Sequence, residues 1–144
     1  MNIGLIIAGG KGQRMLQEIP KQFLNVNDKP VIIYTLEAFQ SHPDIDAIGV
    51  VCVDGWHDIL KAYARQYKIS KLEWVVSGGE NGQSSIRNGL FHAEGLYGPE
   101  DIVLVHDAIR PMVSHEIISD CIVQCKRRGS AVAVVPCNTV ALRR

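Results

Sequence analysis

A continuous apolar run that stops at a glycine pair constrains the fold of this chain more than any other feature. Residues 3–8 (Ile-Gly-Leu-Ile-Ile-Ala) carry no polar side chain, and Gly9-Gly10-Lys11-Gly12 follows directly. A strand without polar side chains on either face is typical of parallel sheets that helices cover on both sides. Glycines after such a strand let backbone N–H groups approach a bound phosphate closely. The run therefore predicts the first strand of an α/β fold, followed by a phosphate-binding turn.

Similar apolar runs recur along the chain and alternate with helical patterns. Strands are predicted at residues 3–8, 48–53, 72–76, 102–105 and 131–135. Such alternation predicts a mostly parallel sheet with helices on both faces, a Rossmann-like three-layer arrangement.

The starts and ends of the helices are marked by capping residues. Pro30 is expected to begin the first helix, because its fixed φ suits the first turn. Ser84 or Ser85 is expected to cap the helix that follows the third strand, with Ile86, Leu90 and Ala93 facing inward. Ser114 is expected to cap the next helix, which should end before Gly129.

Composition limits the class of protein. The 144 residues are 47% hydrophobic, which is enough apolar material for a core. Their formal net charge is +0, so the chain has no global charge that would attract nucleic acid. The N-terminal apolar run is too short for a membrane span and lacks a basic flank. Four cysteines without a CxxC pair are interpreted as reduced thiols, so a cytoplasmic protein without nucleic-acid or membrane partners is expected.

Chemically informative residues follow the predicted strands. In open parallel sheets, ligands bind beyond the carboxyl ends of the strands. Asp107, after the fourth strand, could supply the carboxylate that Mg²⁺ needs beside phosphate oxygens, or it could pair with Arg110. Gly79 and Ser85, after the third strand, suggest a second ligand loop, although Ser85 could be a helix cap. His106 is interpreted as a packing residue.

The glycine spacing argues against two common nucleotide sites. Gly9, Gly10 and Gly12 do not fit GxGxxG, and the turn lacks the GxxxxGK[ST] pattern of a Walker A loop. A dinucleotide-binding fold would also need an acidic residue about 20 positions further on, and Asp54 is too distant. Dehydrogenases and P-loop kinases are therefore disfavoured.

Three motifs together resemble the sugar-alcohol-phosphate cytidylyltransferases. They are Ala8-Gly-Gly-Lys-Gly-Gln-Arg-Met15, Pro20-Lys-Gln-Phe-Leu24 and Val105-His-Asp-Ala-Ile-Arg-Pro111, in the order found in that family. The family comprises 2-C-methyl-D-erythritol 4-phosphate cytidylyltransferase of isoprenoid synthesis and ribitol-5-phosphate cytidylyltransferase of wall and capsule synthesis. The resemblance implies that residues 1–144 are the N-terminal CTP-binding part of a single nucleotidyltransferase domain, truncated at its C-terminus.

The resemblance also implies a role for particular residues. Arg14 and Lys21 would be catalytic, contacting the CTP phosphates and stabilising charge at the α-phosphorus. Asp107 would ligate Mg²⁺, the expected cofactor. The substrate-binding residues would be Ala8, Gly9, Gly10, Gly12, Gly79, Ser85, Ala108, Arg110 and Thr139. The partners would be CTP and a polyol phosphate, and the full-length protein would be a homodimer held by an arm absent from this chain.

Two departures bear on the acceptor. The first motif begins Ala-Gly-Gly, and Gly82 stands where family members often have Arg, followed by Gln83. Both features favour ribitol 5-phosphate over 2-C-methyl-D-erythritol 4-phosphate as the acceptor. Two other classes stay open: a non-catalytic nucleotide-binding module with the same fold, and a nucleotidyltransferase that activates hexose phosphates with UTP or GTP.

Overall fold

The computed structural model describes residues 1–10 and 18–135, in which helices and strands alternate as the sequence predicts. In chain order the elements are β1 (Asn2–Ala8), a 3₁₀ turn (Lys21–Phe23), β2 (Asn25–Val26), β3 (Lys29–Pro30), α1 (Val31–Gln40), β4 (Ala47–Cys52), α2 (His57–Gln66), β5 (Leu72–Ser77), α3 (Gly82–Glu94), β6 (Ile102–Asp107) and α4 (His115–Arg128). Within these residues, no helix is both long and apolar enough to cross a bilayer.

The main sheet is parallel, and its strand order creates a crevice at one edge. The order is β5-β4-β1-β6, while β2 and β3 form a separate two-stranded hairpin. Ile7 at the end of β1 lies opposite Val51 of β4 on one side and Asp107 of β6 on the other. The chain moves outward from β1 through β4 to β5 and then returns to the far side of β1. Ligands of open α/β sheets bind at such a reversal, beyond the carboxyl ends of the strands.

Helices cover both faces of the sheet, as the continuous apolar strands predicted. Successive strand residues point to opposite faces. A Cβ at Gly4 would lie 2.6 Å from the ring of Phe39 in α1. On the opposite face, a Cβ at Gly89 of α3 would lie 2.7 Å from Val51. The missing side chains therefore let a helix pack closely on each face of the central strands.

The beginning of α1 and both ends of α4 agree with the sequence prediction. Pro30 occupies the N-cap of α1. The Ser114 hydroxyl accepts a hydrogen bond from the Ile117 N–H at 3.2 Å, which satisfies one of the free donors of the first turn of α4. Gly129 ends α4 with φ of 88°, a left-handed conformation that favours glycine.

The prediction for α3 was wrong in its cap and in part of its buried face: Ala93 is buried as predicted, but Leu90 is not. Asn81 is the N-cap, and its Oδ1 accepts from the Ser84 N–H at 2.9 Å, while the Ser84 hydroxyl accepts from the Asn81 N–H. The residues that face inward are small (Ser85, Gly89 and Ala93), whereas Leu90 is 40% exposed. Small residues let α3 approach the sheet closely, so the buried stripe differs from the most apolar one.

The predicted fifth strand is absent from the part of the chain that the structure describes. Residues 131–135 form neither helix nor strand, and Val132, Val134 and Val135 are between 83% and 84% exposed. β-branched residues favour extended backbone, but a strand also needs hydrogen bonds to a neighbouring strand. The described sheet therefore has four strands, with β6 at one edge.

Candidate functional site

The glycine turn after β1 combines one tightly packed glycine with one open glycine. Gly9 is buried, and a Cβ there would lie 2.8 Å from the Ser85 hydroxyl and 3.2 Å from the Gly78 Cα. Gly10 is exposed, and a Cβ there would have no neighbour within 4 Å among the residues that the structure describes. Gly9 thus lets the first loop pack against the loop after β5, whereas Gly10 leaves room for a ligand beside the backbone.

A buried glutamine holds the carbonyl groups of this turn. The Gln22 side chain is 4% exposed, and its Nε2 donates to the carbonyl oxygens of Ala8 at 2.7 Å and Gly10 at 3.0 Å. Gln22 was not among the predicted site residues. A signal was present, because Gln22 directly follows Lys21 within the Pro20-Lys-Gln motif.

Lys21 lies on the 3₁₀ turn that Gln22 anchors. Phe23, the last residue of that turn, is 4% exposed, and its ring stacks on Trp56 with the ring centroids 4.8 Å apart. Gln22 and Phe23 point inward, while Lys21 is exposed. A lysine on a fixed backbone beside the glycine turn is suited to neutralising an anion there. Its catalytic role stays a prediction.

The second predicted ligand loop is built around the Ser85 hydroxyl. The Ser85 Oγ accepts from the Gly79 N–H at 3.0 Å, and the side chain is 3% exposed. A Cβ at Gly79 would lie 2.2 Å from the Ser84 Oγ, so the close turn requires a residue without a side chain. Because Asn81 caps α3, Ser85 is not the cap, and its hydroxyl instead holds the second loop and lies beside Gly9.

The third loop is tied to β1 and α1 through the backbone of Ala108. Its N–H donates to the Ile7 carbonyl at 3.0 Å, and its carbonyl accepts from the Thr35 hydroxyl at 2.6 Å. Thr35 is fully buried. Both polar backbone groups of Ala108 are therefore used within the fold. The sequence analysis missed Thr35, although a threonine among the apolar residues facing inward from α1 was a detectable signal.

Asp107 and Arg110 form the ion pair that the sequence analysis gave as an alternative. The Arg110 Nε donates to the Asp107 carboxylate at 3.1 Å, and the two side chains are 74% and 54% exposed. His106 packs against Phe39, with the ring centroids 5.4 Å apart, and its Nε2 donates to the Arg110 carbonyl at 2.9 Å. His106 therefore supports the loop as predicted, since that nitrogen must carry its proton to make the bond.

The side chains that could ligate a metal ion at this edge can be compared with the ligands that Mg²⁺ requires. Among residues 1–10 and 18–135, there is no cluster of three or more His, Cys, Asp or Glu side chains that could hold a metal ion. A single exposed carboxylate such as Asp107 fits an ion that takes most of its ligands from water and substrate phosphates. A single carboxylate thus suits Mg²⁺ that arrives bound to a nucleotide better than it suits a permanently bound metal ion. The metal role of Asp107 stays a prediction.

Cys52, at the end of β4, is held in its protonated thiol form by burial. Cys52 is fully buried at the end of β4, and burial raises the pKa of its thiol to about 12, with a smaller contribution from Asp54. The thiolate is the nucleophilic form of cysteine. Cys52 is therefore not expected to act as a nucleophile at this edge of the sheet.

The structure brings most of the predicted site residues to one edge of the sheet. At the carboxyl ends of neighbouring strands lie Ala8, Gly9, Gly10, Gly79, Ser85, Asp107, Ala108 and Arg110. Lys21 joins them through the contact of Gln22 with Ala8 and Gly10. Gly12, Arg14 and Thr139 lie outside the described residues.

Comparison with protein families and curated proteins gives consistent matches. A family model described as "IspD: 2-C-methyl-D-erythritol 4-phosphate cytidylyltransferase" matches residues 3–143. A ribitol-5-phosphate cytidylyltransferase from Lacticaseibacillus paracasei is 48% identical over 138 residues, which cover 96% of this chain and 59% of that protein. A 2-C-methyl-D-erythritol 4-phosphate cytidylyltransferase from Clostridium botulinum is 36% identical over 143 residues, covering 99% of this chain and 61% of that protein.

A solved structure shares the fold. The crystal structure of 4-diphosphocytidyl-2C-methyl-D-erythritolsynthase from Anaerococcus prevotii aligns with a TM-score of 0.68 at 26% identity. The alignment covers 88% of this chain and 51% of that chain. This chain spans about three fifths of the length of the curated relatives that it matches.

Proposed function

Because the chain belongs to the 2-C-methyl-D-erythritol 4-phosphate cytidylyltransferase family, we propose that it forms the CTP-binding part of a cytidylyltransferase. The reaction would move CMP from CTP to a polyol phosphate and release pyrophosphate. One observation carries the proposal: the open glycine turn after β1 meets the Gly78-Gly79 loop and the Asp107 loop at the carboxyl edge of the sheet. Three separated stretches of chain supply this edge.

The site would act by holding charge in place. No described residue stands over the exposed backbone at Gly10, so it can approach a phosphate, and Lys21 and Arg110 can neutralise part of the triphosphate charge. Gly79 and Ser85 would border the nucleoside on the side of β5. Arg14, the second proposed catalytic cation, and Gly12 belong to the same motif of the sequence.

The proposed reaction needs no general base. A phosphate oxygen of the acceptor would attack the α-phosphorus of CTP and form a new P–O bond. The bond from the α-phosphorus to the oxygen bridging to the β-phosphate would break, and pyrophosphate would leave with the bonding electrons. Because the attacking oxygen is already anionic, Lys21 and Arg14 would contribute by positioning the phosphates and stabilising charge.

Mg²⁺ is the proposed cofactor, and Asp107 is the residue that would hold it. When bound beside the nucleotide, the ion would neutralise phosphate charge. The Asp107 carboxylate is exposed and faces Arg110, so it can exchange that partner without leaving a buried charge unpaired.

We favour ribitol 5-phosphate as the acceptor. The relative at 48% identity is named for that substrate, whereas the relative named for 2-C-methyl-D-erythritol 4-phosphate is 36% identical. The latter substrate remains the second candidate, because the family description names it. Thr139 is proposed to contact the acceptor phosphate.

A calorimetric titration tests nucleotide binding directly. CTP with Mg²⁺ should bind the chain more tightly than UTP or GTP. Equal binding of all three, or preference for UTP or GTP, would contradict the cytidylyltransferase proposal and favour a hexose-phosphate enzyme. A chain that binds none of them would contradict the nucleotide site itself.

Turnover is tested in the protein with the length of its relatives. Pyrophosphate release should depend on the polyol phosphate and be fastest with ribitol 5-phosphate. CTP binding without release for either acceptor would support a non-catalytic module instead. The homodimer and the cytoplasmic location stay predictions.

A further inference from the structure

We propose that Gln22 is a positioning residue that fixes the glycine turn in the orientation required for phosphate binding. The inference rests on the proposed function and extends it to a residue outside the predicted set. Its basis is the pair of hydrogen bonds from one buried amide nitrogen to the carbonyl oxygens of Ala8 and Gly10.

The geometry identifies which end of the side chain faces the turn. Both partners of the Gln22 amide are carbonyl oxygens, at 2.7 and 3.0 Å, and carbonyls only accept hydrogen bonds. The NH₂ group must therefore face them, because the amide oxygen would place three acceptors together. The side chain is 4% exposed, so water cannot readily take over this role.

Holding the carbonyls also sets the direction of the N–H groups. Within a planar trans peptide unit, the C=O and N–H bonds point in opposite directions. The Ala8 carbonyl also accepts from the Val53 N–H at 3.0 Å, so this peptide unit is held at two points. Gln22 thereby keeps negative carbonyl dipoles turned away from the surface that would face a triphosphate.

The same residue connects the turn to Lys21. Gln22 and Lys21 are consecutive residues of the 3₁₀ turn, and the neighbouring Phe23 is packed against Trp56. Because this short turn is anchored by buried side chains, the backbone from which Lys21 extends has a defined position relative to Gly10. Loss of the Gln22 bonds would therefore disturb both the backbone cradle and the cation beside it.

The experiment compares Gln22→Met with Gln40→Met in the same chain. Gln40 also uses its amide to hold a loop, donating to the Ser70 hydroxyl and accepting from the Lys71 N–H, but it lies at the opposite edge of the sheet. Both substitutions remove a side-chain amide of similar shape. Unfolding midpoints, CTP affinity and the ¹⁵N order parameter of Gly9 are measured for each.

We expect Gln22→Met to weaken CTP binding by about 10- to 100-fold, since small displacements of positioning groups have effects of this size. The order parameter of Gly9, whose N–H shares a peptide unit with the Ala8 carbonyl, should fall. Gln40→Met should change neither quantity. Unchanged values in Gln22→Met, or equal losses in both variants, would overturn the inference.

Gln22→Glu should make CTP affinity depend on pH in a way that a purely packing role of Gln22 would not produce. The carboxylate cannot donate to Ala8 and Gly10 and would repel their carbonyls, whereas the protonated acid can donate one hydrogen bond. CTP affinity relative to wild type should therefore rise as the pH is lowered, and a flat ratio would count against the inference. If the wild-type chain fails to bind CTP, the proposed function falls, while the Gly9 order parameter still decides whether Gln22 fixes the turn.

Discussion

Replacing Gly9 with alanine should force the first and second loops of the site apart. The added Cβ would lie 3.2 Å from the Gly78 Cα and 2.8 Å from the Ser85 Oγ. Carbon atoms in good contact are about 3.5–4.0 Å apart, so the backbone would have to move by about 0.3–0.8 Å. Gly78 cannot easily retreat, because its N–H donates to the Cys52 carbonyl.

The expected cost follows from this overpacking. Extra methyl groups in tightly packed places typically destabilise by about 1–3 kcal/mol. Alanine also lowers the conformational entropy of the unfolded chain, which offsets about 0.4–1 kcal/mol. Gly10→Ala is the matched control, because a Cβ there meets none of the described residues within 4 Å. The entropy effect is common to both variants, so their difference isolates the contact with Gly78 and Ser85.

Urea unfolding and CTP titration together provide the assay. Gly9→Ala should unfold with a free energy about 1–3 kcal/mol below that of Gly10→Ala, and it should also bind CTP more weakly. Gly10→Ala should fold normally yet lose CTP affinity, because its methyl group occupies the space proposed for phosphate. Equal stability of the two variants would refute the close approach of the loops. Full CTP affinity in Gly10→Ala would refute the proposed position of the phosphates.

Three further perturbations address other parts of the site. Lys21→Ala should change the free energy of unfolding by less than about 0.5 kcal/mol, since the side chain is exposed, but it should lower CTP affinity and turnover. Lys61 is another exposed lysine, and Lys61→Ala should leave CTP affinity and turnover unchanged. Thr35→Val should cost about 1–3 kcal/mol in urea unfolding, because it leaves the Ala108 carbonyl without its partner, and Thr35→Ser should restore most of that loss. Cys52 should resist iodoacetamide at pH 8 in the folded chain, because a pKa of about 12 leaves about one thiol in ten thousand ionised. If mass spectrometry finds Cys52 modified before the chain unfolds, its burial would be contradicted.

The first four strands and both ends of α4 were predictable because their signals are local. Apolar runs, Ser114 and Gly129 specify backbone conformations through their immediate neighbours. The cap of α3 was not predictable in the same way, because Asn81, Ser84 and Ser85 are all capable of capping. The backbone of the preceding loop places Asn81 in the extended conformation that an N-cap requires.

Residues 131–135 show what a local sequence pattern cannot predict. Their composition favours extended backbone, but strand formation depends on a neighbouring strand that a local sequence pattern cannot specify. The inner face of α3 shows the same limit, since the close approach at Gly89 was decided by the sheet beneath it.

The sequence by itself determined which residue types follow each strand: glycines after β1, Gly78-Gly79 after β5, and Asp107 after β6. Only the tertiary structure decided that they share one site, because parallel register aligns the carboxyl ends of strands that are far apart in sequence. It also assigned Gln22 and Thr35, whose partners lie 12 to 14 and 73 residues away. A buried hydrogen bond depends on where two chain segments meet, and that meeting point is set by packing of the whole sheet.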